Sequence, residues 1–200
     1  APSGHAGSTG QYAHLAILPY PSRFEQVLAL RGGDTCHVRP IRPDDAQMLQ
    51  DLVRGLSPES RYFRFVSSFN ELPATMLSRF TLIDYDREMA LVAVVRQRAT
   101  DAEGGAVESE RIVGVSRYVI TPDQQSCEFS LVVAEDMKGR GLGSRLMEAI
   151  MEAARERGLV EIVGLVLRSN AAMLKLMRAM GFEVSRFDED PDFVKVTHGL

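Results

Sequence analysis

The sequence is poor in the residues that build disulfide frameworks, metal sites and membrane spans. It contains two cysteines, Cys36 and Cys127, and no tryptophan. Each cysteine lies alone inside a strand-like segment, so we expect two buried core thiols and no metal site. The longest apolar runs, 90–95 and 162–167, are far shorter than the ~20 residues that span a bilayer. We therefore expect a soluble cytoplasmic protein that binds neither a metal ion nor a membrane.

Lysine is also scarce, and the overall charge is negative. The 200 residues include three lysines, Lys138, Lys175 and Lys195, and carry a formal net charge of -4. A protein that binds nucleic acid without sequence preference needs a basic surface to displace counterions from phosphate. Non-specific nucleic-acid binding is therefore not expected. The length suits one well-formed core.

The chain divides into a lead and a domain. Residues 1–10 are rich in Gly and Ser, and Pro19-Tyr20-Pro21 resembles a stiff tether. We predict a flexible linker over 1–34 and one folded domain over 35–200. The apolar tether and the Met-rich last helix suit packing either inside the domain or against a second subunit, so a homo-oligomer is one possible state.

The hydrophobic pattern of the domain predicts one strand, several helices, a β-meander and then β-α-β-α-β, which is an α/β (α+β) order. Predicted helices begin near Pro43, Pro58, Pro73, Gly141 and Ser169-Asn170. Predicted strands cover 36–41, 88–96, 111–120, 127–133 and 162–167, followed by a hairpin from Val184. The charged segment 100–110 is predicted to be a hairpin loop.

A glycine-rich turn between the strand 127–133 and the next helix is the most informative segment. It reads KGRGLGS over 138–144. Glycines let the backbone approach a ligand closely, and the helix start offers free N–H groups, so the turn suits a pyrophosphate. A P-loop is excluded because Ser144 and Arg145 follow Gly143. A dinucleotide fingerprint is excluded because Ser144 stands where its third glycine belongs.

The turn resembles motif A of the GNAT family of N-acetyltransferases, Gln/Arg-x-x-Gly-x-Gly/Ala, with Lys138 in place of the first Gln or Arg. A second motif of that family is matched by Asn170, Met173, Leu176 and the closing Gly181-Phe182. The resemblance covers about 38–184. It implies a mixed central β-sheet flanked by helices, with splayed strands that hold acetyl-CoA as co-substrate.

The resemblance can be narrowed to the acetyltransferase domain of bacterial Pat-type protein lysine acetyltransferases. The segments that resemble it are RPIRPDD at 39–45, LSPESRYFRF at 56–65 and IDYDREMA at 83–90. In many such proteins this domain follows one similar to NDP-forming acyl-CoA synthetases. The implied activity is acetylation of a lysine on a partner protein, with AMP-forming acetyl-CoA synthetase as the implied substrate.

The resemblance also assigns site residues. Glu128 matches the catalytic glutamate of the Pat type and would act as general base; because Cys127 and Phe129 flank it, we expect partial burial and a raised pKa. Backbone N–H groups at 131–133 would bind the pantetheine and the developing oxyanion. The predicted acetyl-CoA contacts are Leu131, Val132, Val133, Lys138, Gly139, Arg140, Gly141, Leu142, Gly143, Ser144, Asn170 and Met173.

Several alternatives stay open at this point. Many relatives have a tyrosine as acid where Met177 stands, and this sequence lacks it. An acetyl-cysteine on Cys127 is a second chemical route, although no histidine lies nearby in sequence to activate the thiol. A small amine or a protein N-terminus could replace lysine as acceptor. A non-catalytic acyl-CoA sensor would keep the turn but would not need Glu128.

Overall fold

The computed structural model of the chain describes residues 18–200, apart from the side chain of residue 99. The Gly/Ser-rich segment 1–10 that we predict to be a linker lies outside the described residues. Among the described residues, no helix is long and apolar enough to cross a membrane. The same residues include no cluster of His, Cys, Asp and Glu suited to a metal ion.

One mixed sheet of eight strands, in the order β1-β2-β3-β4-β5-β6-β8-β7, organises the described chain. The strands are β1 Gln26–Ala29, β2 Thr35–Pro40, β3 Glu88–Thr100, β4 Ala106–Ile120, β5 Ser126–Val133, β6 Glu161–Leu167, β7 Glu183–Arg186 and β8 Phe193–Gly199. Only the β5–β6 pair is parallel. All other neighbours are antiparallel. The mixed sheet that the resemblance implies is confirmed.

In the described part of the chain, five α-helices cover the sheet. They are α1 Ala46–Gly55, α2 Pro58–Phe65, α3 Ala74–Thr81, α4 Leu142–Glu156 and α5 Ala171–Ala179. Helix α4 buries Leu142, Leu146 and Ile150, the residues that the helical spacing predicts for its inner stripe. Helices α1 and α4 both pack on β4, and α2 lies against β5.

The two faces of the sheet can be assigned from β4. A Cβ added at Gly114 would lie 2.7 Å from Leu146, so this side chain position faces α4. Arg117, three residues later, points to the opposite face, where it donates a hydrogen bond to the carbonyl of Phe80 in α3. Side chains alternate along a strand. The sheet therefore separates an α4 face from an α3 face.

The predicted boundary at 34/35 is corrected, because the last part of the predicted linker 1–34 belongs to the folded domain. Residues Gln26–Ala29, within the predicted linker, form β1 and pair with β2. Phe24, Leu28 and Leu30 are buried. The short length of β1 hides its alternation, because four residues give too few repeats for a pattern to be recognised.

The hairpin loop predicted over 100–110 is also shorter in the structure. Strands β3 and β4 continue as a two-stranded ribbon, and the turn covers only 101–105. Arg96 lies opposite Glu110, and Arg98 lies opposite Glu108. These four charged residues share one face, and Gln97 on the other face is exposed as well. The ribbon is therefore solvated on both faces, and this polar composition is why the sequence favours a loop here.

Candidate functional site

A gap between β5 and β6 lies beside the start of α4. The two strands are in register only from Ser126–Glu161 to Glu128–Val163. Beyond that point, β5 runs on to Val133 and β6 to Leu167, and the two strands no longer pair with each other. Unpaired strand edges offer backbone hydrogen bonds to an extended ligand. The splayed strands that the resemblance implies are therefore present.

Glu128 lies at the apex of this gap, on the α3 face of the sheet. Its cross-strand partner is Val119 of β4. Cys127 and Phe129 are buried on the opposite face, whereas Glu128 is exposed. The partial burial expected for Glu128 is wrong, because strand alternation turns its side chain away from both apolar neighbours.

The backbone of β5 directs two donors into the gap. The N–H of Ala134 donates to the carbonyl of Val113 in β4, with an N···O distance of 2.8 Å. Backbone N–H groups alternate between the two neighbours of a strand, so the N–H of Val132 also points to β4. Those of Leu131 and Val133 then point into the gap. Of the three predicted donors, Val132 is the one directed elsewhere.

The glycine turn is built by two left-handed residues. Gly139 has φ 76° and Gly141 has φ 83°, a conformation that glycine adopts at little cost. A Cβ at Gly141 would have only the Arg31 Nε atom within 4 Å, at 3.7 Å. Leu142 begins α4 with a buried side chain, and the Ser144 hydroxyl donates to the Gly141 carbonyl at 3.0 Å. The free N–H groups at this helix start fit a pyrophosphate.

Lys138 is held by groups outside the turn. Its Nζ atom lies 2.8 Å from the Glu135 carboxylate and donates to the Ser60 hydroxyl at 2.7 Å. Desolvation acts to raise the pKa of Glu135, but hydrogen bonds, chiefly that from Lys138, outweigh it and lower the pKa to about 2. The N–H of Ser57 also donates to Glu135, at 2.9 Å. Glu135 thereby joins the start of α2 to the glycine turn.

Arg140 is held by the turn between β1 and β2. Its guanidinium donates to the Arg31 carbonyl at 3.1 Å and pairs with Asp34. The N–H of Arg31 donates in return to the Arg140 carbonyl at 3.3 Å. Sequence patterns missed these partners because Arg31 and Asp34 lie in the predicted linker. The side chains of Lys138 and Arg140 therefore have protein partners, and the backbone of the turn is the freer donor.

The second predicted motif lies next to the turn. A Cβ added at Gly143 would be 3.4 Å from Leu176 of α5 and 3.8 Å from Leu131 of β5, so three elements converge here. Asn170 caps α5, since its side-chain oxygen accepts the Met173 N–H at 3.1 Å. This capping bond is the local reason for an Asn at the helix start.

Two alternatives for the chemistry lack structural support. Cys127 lies on the α4 face, away from Glu128, and desolvation raises the pKa of its thiol to about 12. A thiol that is buried and protonated is a poor nucleophile. Met177, at the position of the tyrosine in many relatives, is fully buried. The described site therefore contains no side-chain acid from α5.

The comparisons with known proteins agree with this geometry. Residues 67–182 match the model of the Acetyltransferase (GNAT) family. An acetyltransferase of Pseudomonas aeruginosa is 33% identical over 87% of this chain and 88% of its own. The structure is similar to the GNAT domain of S. lividans PAT, with a TM-score of 0.78 and 29% identity over 91% of this chain and 100% of that domain.

A second activity is found among the relatives. An L-methionine sulfoximine/L-methionine sulfone acetyltransferase of Pseudomonas aeruginosa is 31% identical over 58% of this chain and 65% of its own. Its name states an acceptor, whereas the names of the other two proteins do not. With the splayed strands, the glycine turn and the family match together, the chain belongs to the GNAT family of acetyl-CoA-dependent N-acetyltransferases.

Proposed function

We propose that this protein transfers an acetyl group from acetyl-CoA to a lysine side chain of another protein, with Glu128 as general base. The observation that supports this most strongly is the exposed carboxylate of Glu128 at the apex of the β5–β6 gap. An acceptor that is itself a folded protein can reach such a group. Similarity to the S. lividans PAT domain supports the same acceptor class.

A base is needed because a lysine amine has an unperturbed pKa about 3.4 units above neutral pH, and only its neutral form attacks a thioester. Glu128 accepts the proton that the acceptor nitrogen loses, directly or through one water. The nitrogen bonds to the thioester carbon as the carbon–sulfur bond breaks, and the sulfur leaves as a thiolate. A thiolate is a good leaving group, so the absence of a tyrosine at Met177 is tolerated.

Backbone groups bind the co-substrate in this proposal. Acetyl-CoA supplies the thioester. The N–H groups at 139–144 bind its pyrophosphate at the start of α4. Those of Leu131 and Val133 bind along the gap and donate to the developing oxyanion. The side chains of Asn170 and Met173 remain proposed contacts at the start of α5.

AMP-forming acetyl-CoA synthetase is the acceptor protein that we propose from the Pat-type resemblance. Acetylation of its catalytic lysine would switch it off. The corresponding site of action is a bacterial cytoplasm. A small amine is the second candidate, favoured by the methionine sulfone acetyltransferase among the relatives. A non-catalytic acyl-CoA sensor is disfavoured, because it would have no use for Glu128.

A substrate comparison tests the acceptor class. Purified protein and acetyl-CoA are incubated with acetyl-CoA synthetase, with polyamines or with methionine sulfone, and products are measured by mass spectrometry. We expect one or few lysines of the synthetase to gain an acetyl group, with little turnover of the small amines. Turnover of a small amine without modification of any protein lysine would contradict the proposal and favour the second candidate.

A further inference from the structure

A group of arginines lies on the same face of the sheet as Glu128. Glu88, Val119 and Glu128 occupy one row across β3, β4 and β5. Neighbouring strands lie about 4.8 Å apart, so Glu88 is roughly 10 Å from Glu128 along this row. Glu88 is buried and pairs with Arg117 at 3.3 Å and with Arg79 at 2.6 Å. Arg79 and Arg117 therefore share a single carboxylate, that of Glu88.

Arg64 adds a further positive charge to this group. Its guanidinium stacks on the rings of Phe65 and Phe80, at 4.7 and 5.6 Å from the ring centres. Arg117 stacks on Phe80 as well, at 4.8 Å. Among the described residues, Arg64 has neither an ion pair nor a hydrogen bond, although its side chain is only partly exposed. Desolvation, and then the charge of Arg117, lower the pKa of Arg64 to about 10, so it stays charged at neutral pH.

The direction of α2 assigns Arg64 to the acceptor rather than to the co-substrate phosphates. The start of α2 is tied to the glycine turn through Ser57, Ser60 and Glu135. Arg64 is six residues after Pro58, the first residue of α2, so it lies about 9 Å along the helix from the phosphate end. Arg64 meets Arg117 there, and Arg117 is directly opposite Ser130 of β5, two residues after Glu128.

We propose that Arg64, supported by Arg117, binds a carboxylate carried by the acceptor, so that the enzyme selects an amine with an acidic group nearby. The inference deepens the proposed function and rests on it. A planar guanidinium that lacks a partner is well suited to a carboxylate, which it can bind through two hydrogen bonds. Binding would also place an anion beside a group of arginines that outnumber the carboxylate of Glu88.

The separation of the two groups favours a lysine acceptor over an α-amino acid. The Arg117 guanidinium reaches Glu88 and Phe80, and Glu88 lies roughly 10 Å from Glu128, judged by strand spacing. The long stem of lysine holds its amine well away from a neighbouring acidic residue or from its own carboxylate. In a free amino acid that reacts through its α-amine, by contrast, the amine and the carboxylate are bonded to the same carbon. An aspartate or glutamate near the target lysine is therefore the expected source of the carboxylate.

The test uses lysine peptides in which one Glu is placed at successive positions before or after the lysine, each matched with a Gln peptide. We expect the wild type to show a KM at least about tenfold lower for a Glu peptide than for its Gln match, from a charge-assisted pair. Arg64→Gln should abolish the difference, and Arg64→Lys should restore part of it. Arg98→Gln, which removes an exposed arginine from the β3–β4 ribbon, should keep it.

The KM for acetyl-CoA reports folding and should be unchanged in all three variants. Equal KM values for every wild-type Glu and Gln pair, or a preference that survives in Arg64→Gln, would overturn the inference while lysine acetylation stood. A second arm compares small lysine derivatives that have a free carboxylate with their amides. If only the free acids react, and Arg64→Gln removes that activity, the carboxylate inference holds and the protein acceptor is wrong.

Discussion

At the scale of single residues, Gly141 combines a conformational and a binding requirement. Its φ of 83° is matched by the φ of 84° at Gly158, just beyond the other end of α4. A Cβ at Gly158 would have nothing within 4 Å, and one at Gly141 would have ordinary contact with Arg31 alone. The two positions therefore differ in what they face rather than in strain.

This pair allows a matched test of the glycine turn. Both Gly141→Asp and Gly158→Asp should lower the free energy of unfolding by about 1–2 kcal/mol, the cost of a left-handed non-glycine residue. Gly141→Asp alone should weaken acetyl-CoA binding by at least about tenfold, because its carboxylate would repel phosphate at the helix start. Calorimetric titration measures the affinity. Equal affinities for the two variants would contradict the phosphate site.

Residue identity at the site could be predicted from sequence better than residue environment could. The turn 138–143 and the strand that carries Glu128 follow from local patterns. The exposure of Glu128 does not, because it depends on which helices cover each face of the sheet. The partners of Lys138 and Arg140 are likewise tertiary, since Ser60 is far away in sequence and Asp34 further still.

At the scale of elements, strand β1 shows the limit of periodicity. The long helices are predicted well because apolar residues recur over several turns, as in α4. Strand β1 has four residues, and its assignment depends on pairing with β2. The ribbon of β3 and β4 is missed for a related reason, since it is solvated on both faces and so shows no alternation of apolar residues.

Two neighbouring residues of β1 test whether this strand belongs to the domain. Leu28 is 3% exposed and Val27 is 70% exposed. Leu28→Ala should lower the free energy of unfolding by about 2 kcal/mol or more, through lost burial and the cavity left behind. Val27→Ala should change it by less than about 0.5 kcal/mol. Urea unfolding measures both. Equal, small effects would support a flexible linker up to residue 34 instead.

At the scale of the whole molecule, the site is assembled from distant parts of the chain. The base comes from β5, the phosphate site from the start of α4, and the arginines from α2, α3 and β4. No local pattern could predict that Arg64 and Arg117 meet on Phe80, because the pairing of β4 with β5 and the packing of α3 bring them together. The family resemblance predicts the fold, whereas the arginines of the acceptor side are defined by tertiary contacts.

In the proposed reaction, Glu128 takes the proton from the acceptor amine. The most direct measurement is single-turnover acetyl transfer to a lysine acceptor by wild type and Glu128→Gln, with acetyl-CoA affinity measured in parallel. We predict that the variant transfers acetyl about a hundredfold to ten-thousandfold more slowly at neutral pH, the usual range for loss of a general base, while it binds acetyl-CoA as the wild type does. An unchanged transfer rate would contradict the assignment of Glu128 as general base.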